Sequence, residues 1–412
     1  MASITFGTPP HPVDPSANLR PFNISIPDAE IEKLNTLLEL CPIAPPNRAN
    51  SREDGSQGIP RKVLVDMVEY WRRKYDWKKW ESTLNSFPQY KITIADNESR
   101  AYDIQFFALF SKNPSAIPIL LLHSWPGSVV EFLPLLLKLR SQYASSGAES
   151  LPYHIVIPHY IGYGFSDPPP LDKDITHTDN ARLVSKMMRA LGFAETGYVV
   201  QGGDLGSATA LVVASNDPAC KMVHVNLLNI TPPPGTDVEA DIKAGKYTHE
   251  ETESLINTME FLKKETAFIK LNGTKPATAG FLVGSSPVAL LAWIGEKMLK
   301  WTDEQPSIDL ILTNLSIYWF SGCYATTISH HQLVLEDSEP LTSGWKGVNV
   351  PLGYSWFKKE LVNPPKPWID YTGKLSWYRI HEKGGHFASL EMPDVFWKDV
   401  EDFVNEFWGK AD

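Results

Sequence analysis

Ile31, Leu34, Leu37 and Leu38 recur at helical spacing behind Ile26-Pro27-Asp28, so a helix is expected to open there after an extended Pro21-Phe22-Asn23-Ile24-Ser25. Arg61 to Tyr75 carries a second amphipathic pattern, and an aromatic and basic stretch runs from Trp77 to Trp80. Between the two helices, Cys41 to Pro60 is rich in Pro, Asn, Ser and Gly and must be irregular. After Ser86 the period falls to two. Tyr90-Lys91-Ile92-Thr93-Ile94 and Tyr102-Asp103-Ile104-Gln105-Phe106 alternate as two antiparallel strands would. Five short runs follow that are mostly apolar: Ile117–Leu122, His154–Pro158, Tyr198–Gln201, Val223–Ile230 and Leu375–Ile380. Strands buried on both faces of a parallel sheet have this pattern. Helical segments such as Ala181–Leu191 and Leu205–Ser215 separate most of them, which predicts an α/β protein on an open, doubly wound sheet. The alternation breaks between Thr231 and about Trp345, a helical, Trp-rich insertion placed to roof a pocket at the carboxyl edge of the sheet.

With 412 residues, 43% of them apolar and 21% charged, the chain has a globular composition. The 38 Lys and Arg against 48 Asp and Glu leave a net charge of −10 without a long basic block. That argues against a nucleic-acid or anionic-membrane surface. Cys41, Cys220 and Cys323 are too few and too far apart for a disulfide framework or a zinc knuckle, so no metal is expected. Neither a secretory signal nor an apolar run of ~18 residues is visible, and a cytoplasmic, reduced protein is the expectation.

The sharpest local signal is Gly202-Gly203-Asp204-Leu205-Gly206, between an apolar run and a helix. It has the form of a nucleophile elbow with aspartate in place of serine, its glycines required because the strained turn leaves no room for side chains. The bland alternative is a helix start capped by Asp204. After Ile117–Leu122 comes His123-Ser124-Trp125-Pro126-Gly127, either an ordinary turn or a loop supplying an oxyanion-hole N–H. Trp125 and Leu205 would be the two donors. Gly384-Gly385-His386-Phe387 completes the order nucleophile, acid, histidine, with His381 as the nearest rival base. His11, His177 and His249 read as solvated. Glu360 is the preferred acid, ahead of Asp370 and Glu382.

From about Arg20 onward the chain resembles the epoxide hydrolases of the microsomal type. The resemblance rests on Trp80, His123-Ser124-Trp125-Pro126-Gly127, Gly162-Tyr163-Gly164-Phe165-Ser166, the Asp204 elbow, Ser286-Pro287 with Ala292-Trp293, Tyr318-Trp319 and Gly384-Gly385-His386-Phe387. It implies an α/β-hydrolase fold with a helical cap and an N-terminal helical arm. The divisions expected are 1–89 for the arm, 90–231 and 346–412 for the two parts of the core, and 232–345 for the cap. It also implies Asp204 as nucleophile, His386 as water-activating base and Glu360 as its acidic partner. The membrane anchor of mammalian members has no counterpart here, which fits the soluble fungal members.

The family holds the epoxide oxygen with two cap tyrosine hydroxyls. One lies eight positions before the proline of a Thr-Lys-Pro stretch, which is Phe268 here. The other lies thirteen positions after the tyrosine of a Tyr-Trp pair, which is His331. Phe268 cannot donate, whereas His331 can, or it can be a solvated cap residue beside His330. Tyr324, Tyr247 and Trp319 are further candidates for the cap side of the site. An aspartyl-ester hydrolase acting on a small hydrophobic epoxide or natural-product intermediate is therefore expected, without cofactor and with a homodimer as the assembly allowed. Ring rearrangement, carbon–carbon cleavage or dehalogenation is the alternative, and a non-catalytic ligand-binding protein is the third reading.

Overall fold

The computed structural model describes residues 6–336, 347–373 and 375–410. Nine strands form one sheet: β1 (Arg20–Pro21), β2 (Gln89–Ala95), β3 (Ala101–Leu109), β4 (Ile117–Leu122), β5 (Tyr153–Pro158), β6 (Tyr198–Gly202), β7 (Cys220–Val225), β8 (Leu352–Lys359) and β9 (Trp377–Gly385). Their order is β1-β2-β3-β5-β4-β6-β7-β8-β9. The pairs from β1 to β5 are antiparallel, and every pair from β5 to β9 is parallel.

β4 shows why the parallel strands read as unbroken apolar runs. Its Ile119 and Leu121 join one core with the helices Leu133–Tyr143 and Pro393–Phe407, through Leu135, Leu136, Phe396 and Phe403. Its Leu120 and Leu122 face the other core, with Met187, Leu191 and Ala210. Successive side chains leave a strand on opposite faces, so a sheet covered on both sides has no polar positions to alternate.

Several expectations need correction. β8 is an additional strand, because Gly353 and Ser355 interrupt its apolar pattern while lying fully inside the fold. The arm is not purely helical, since Arg20–Pro21 pairs with Tyr90 and Lys91 as an edge strand. Trp77–Asn85 is a helix capped by Asp76, whose side chain accepts from the Lys79 N–H. β7 stops at Val225 instead of running to Ile230, and β9 starts at Trp377 instead of Leu375. His177 is buried and His11 half-buried against Phe193 and His154; only His249 is exposed. The expected boundary at 345/346 lies outside the described residues.

Between β7 and β8 the chain forms helices that include Val238–Lys243, His249–Lys264, Ala267–Thr274, Pro276–Gly284, Ile308–Ser321 and His330–Glu336. Among the described residues no single helix is long and apolar enough to cross a membrane. One pair, Pro276–Gly284 and Pro287–Lys300, reaches that length only together and turns by 115° between its halves. The segments leaving β4, β6, β7, β8 and β9 all emerge at the carboxyl ends of parallel strands, under these helices. That is where an open α/β sheet places its ligands.

Candidate active site

β6 delivers Asp204 on a turn with φ 49° and ψ −120°, a conformation that L-residues seldom adopt and that is held only by surrounding structure. Its glycines are needed for close approach. A Cβ on Gly202 would stand 2.1 Å from the Gly206 carbonyl oxygen, and one on Gly206 would stand 2.3 Å from that of Leu122. Asp204 does not cap the helix Leu205–Asn216 with its side chain, which disposes of the capped-start alternative. Its Oδ2 instead accepts the Trp125 N–H at 2.9 Å, across from the end of β4. Leu205 follows on the first turn of the helix and lines the adjoining cavity.

His386 Nε2 lies 3.9 Å from Asp204 Oδ1, and its Nδ1–H donates to Glu360 Oε1 at 2.6 Å. Glu360 leaves the end of β8 and is buried, and its Oε1 also accepts the Leu361 N–H at 2.7 Å. His386 is positioned through its own backbone too, its N–H donating to the Trp301 carbonyl at 2.9 Å. Burial opposes a charge on this imidazole. The adjacent Glu360 carboxylate, and then Asp204, outweigh it and push the pKa up to about 9. At neutral pH the free site therefore holds an imidazolium facing a carboxylate.

The rivals lie elsewhere. His381 stacks on Phe357 with ring centroids 4.8 Å apart and bonds Asp399. Asp370 pairs with Lys366, and Glu382 with Lys358 at 3.7 Å.

The cap closes the site with Phe268 and His331, both against the Trp125 indole. Phe268 stacks on it at 5.3 Å and 11°, and His331 meets it edge-on at 4.5 Å and 82°. His331 is only 4% exposed, which overturns its reading as a solvated histidine. Its Nδ1–H donates to the Ile328 carbonyl at 3.2 Å, and burial holds its pKa well below 6.5. The His330 ring lies 4.1 Å from it, also on the cavity wall. Tyr324 and Trp319 are not brought to this cavity, contrary to expectation. Both line a separate depression with Phe281, and the Tyr324 hydroxyl points to Asn272 Oδ1 at 3.4 Å. The Tyr247 hydroxyl accepts from Trp368 Nε1 at 3.1 Å, and Tyr247 does not line the cavity either.

The cavity, about 150 Å³, is walled by Leu227, Phe261, Ile269, Trp301 and Val362 together with the residues above. Trp301 and His330 line the cavity although the sequence singles out neither as a site residue. Trp301 stands edge-on to His386 at 5.2 Å, a relation that only the return of the chain from cap to core creates.

Residues 19–132 match the family described as epoxide hydrolase N terminus, and residues 117–254 match the alpha/beta hydrolase fold. A relative from Dothistroma septosporum with an epoxide hydrolase designation is 36% identical over 396 residues, 95% of this chain and 91% of its own length. The structure of Aspergillus niger epoxide hydrolase is 39% identical, with a TM-score of 0.87 over 98% of this chain and 100% of that one. Juvenile hormone epoxide hydrolase from the silkworm Bombyx mori is 26% identical, with a TM-score of 0.83 over 96% of each chain.

Proposed function

The chain belongs to the epoxide hydrolase family and is a hydrolase acting on epoxide ether bonds, and from that premise we propose that it works through an alkyl ester on Asp204. The observation that carries this mechanism is the pairing of groups on Asp204: the Trp125 N–H on one oxygen and His386 Nε2 3.9 Å from the other. The company of the relatives favours neither a non-epoxide reaction nor a non-catalytic binding protein.

One Asp204 oxygen attacks a ring carbon, the carbon–oxygen bond breaks, and the ring oxygen leaves as an alkoxide. A carboxylate suits this step because it yields an ester that water can cleave, whereas serine would yield an inert ether. The alkoxide takes its proton from the imidazolium form of His331. Esterification removes the Asp204 charge, one of the charges that hold a proton on His386, which eases loss of that proton to solvent, while solvent returns a proton to His331. Neutral Nε2 then takes a proton from water as the water oxygen adds to the Asp204 carboxyl carbon. The N–H groups of Trp125 and Leu205 hold the oxyanion. Collapse breaks the ester, the departing alkoxide takes the carboxyl proton, and the diol leaves with Asp204 ionised and His386 charged again. Glu360 holds the imidazole tautomer and stabilises the imidazolium.

The acid half of the reaction is the weaker one. Phe268 has no proton to give, and burial keeps the donating form of His331 a small fraction at neutral pH. Simple epoxides such as styrene oxide should therefore react slowly, and the preferred substrate is a small hydrophobic epoxide or natural-product intermediate that makes closer contact with the apolar wall. A cytoplasmic location is part of the same proposal. The test is mass spectrometry of the Asp204 peptide after incubating His386→Gln with an epoxide. An added alkyl mass on Asp204 is expected. An unmodified peptide from a variant whose parent turns over the same epoxide would rule out the ester.

A further inference from the structure

Glu131 lies eight residues after His123 on a short turn of helix, Val129–Phe132, and is only 5% exposed. One of its oxygens, Oε1, accepts both the Ser124 N–H at 3.0 Å and the Ser124 hydroxyl at 2.6 Å. Its carboxyl group occupies the space where a side chain on residue 127 would be: a Cβ on Gly127 would stand 1.5 Å from Oε1 and 2.9 Å from Ser124 Oγ. The other end of the same residue is held as well. The Ser124 carbonyl accepts the Gly127 N–H at 3.2 Å and faces His123 Nδ1 at 2.9 Å. Every polar group of Ser124 is thus fixed from inside the protein, and the next N–H along the chain is that of Trp125, which binds Asp204.

We infer that Glu131 is the positioning residue of the oxyanion loop: by gripping Ser124 it aims the Trp125 N–H at the carboxyl group on which the ester forms and is hydrolysed. The inference rests on the aspartyl-ester mechanism proposed above. A buried carboxyl group is a costly way to fill space, and here burial pushes its pKa up to about 7 against the hydrogen bonds from Ser124. A purely structural filler would be served as well by an apolar side chain of similar size. What an apolar side chain lacks is the acceptor that fixes the direction of the Ser124–Trp125 peptide. Direction matters because an oxyanion donor works only at hydrogen-bond distance from the atom where charge develops.

The probe is styrene oxide, with kcat, KM and the steady-state fraction of alkylated Asp204 measured in the full-length protein. Glu131→Ala should lower kcat by about 10², the usual consequence of displacing a reacting group by an ångström, with KM within about threefold. Its alkylated fraction should rise, because hydrolysis of the ester depends on the oxyanion more than its formation does. Glu131→Gln keeps an acceptor oxygen for Ser124 and should recover at least about tenfold of the loss. Ser124→Ala removes one of the two grips and should cost about tenfold in kcat; it decides the matter if Glu131→Ala does not fold. A folded Glu131→Ala with unchanged kcat, a Gln variant as impaired as the Ala variant, or an unchanged Ser124→Ala would overturn the assignment. An absence of ester on Asp204 in every form, with wild type turning over, would instead remove the mechanism beneath it.

Discussion

Returning a hydroxyl to the cap wall should raise the rate with simple epoxides. Phe268→Tyr is the perturbation, alone and with His331→Tyr. The Phe268 ring lines the same cavity as Asp204 and stacks 5.3 Å from the indole of Trp125, the residue whose backbone N–H binds that carboxylate. A phenol there is expected to reach an oxygen leaving the carbon that Asp204 attacks. A positioned general acid contributes about 10²–10⁴ in rate, which at ~1.4 kcal/mol per factor of ten is about 3–5 kcal/mol. Crowding subtracts from this. Phe268 has Trp301 and His331 within 5.4 and 5.5 Å besides Trp125, and fitting extra atoms into such a wall costs about 1–3 kcal/mol. The net gain should therefore sit near the lower end, about 10² in kcat/KM for styrene oxide. His331→Tyr also gives up the bond to the Ile328 carbonyl, so its separate contribution should be smaller than that of Phe268→Tyr. The assay is kcat/KM on styrene oxide for wild type, both single variants and the double variant, with Tm recorded to separate packing loss from chemistry. A double variant that keeps its Tm but is no faster than wild type would refute the reasoning. So would vigorous wild-type hydrolysis of styrene oxide that is indifferent to His331→Ala.

Asp204→Asn should abolish turnover with Tm unchanged; near wild-type activity, after peptide mass has excluded deamidation, would end the covalent mechanism. His386→Gln should form the alkyl-enzyme and fail to release it, seen as a stoichiometric mass increase with no second turnover. In a single turnover, alkylation by the wild type should speed up as pH falls from about 8 to about 6, because the His331 pKa lies well below 6.5 and its protonated fraction grows throughout that interval. His331→Tyr should flatten that dependence, and a slope that persists would assign it to another group. Gly206→Ala should destabilise the fold by about 3 kcal/mol, read by denaturant unfolding, since its Cβ would meet the Leu122 carbonyl at 2.3 Å.

Most of the parallel sheet was legible because burial on both faces leaves a mark that needs no partner to interpret: β4, β5 and β6 lie within a residue of their apolar runs. β8 was not, because its Ser355 is satisfied by Asp399 and His224 from other elements, and a polar residue with such partners looks, along the chain, like a break in a strand. The histidines failed in the same way. His177 and His331 are polar residues whose burial depends on what folds over them, and neither has a local pattern that announces it.

Asp204 and the loop bearing Trp125 could be read from the chain because their chemistry needs glycines and a turn at fixed offsets, and backbone geometry of that kind is local. The approach of His386 to Asp204, the removal of Tyr324 and Trp319 from the cavity and the grip of Glu131 on Ser124 were decided only by the tertiary structure. Each joins side chains through space, and spacing along a chain carries no information about distance between elements that pack from opposite sides of a cavity. Charge followed the same division. Composition set the net value of −10, but whether one imidazole is held protonated at Asp204 while another is kept neutral depends on which carboxylate each meets and how much water is excluded around it.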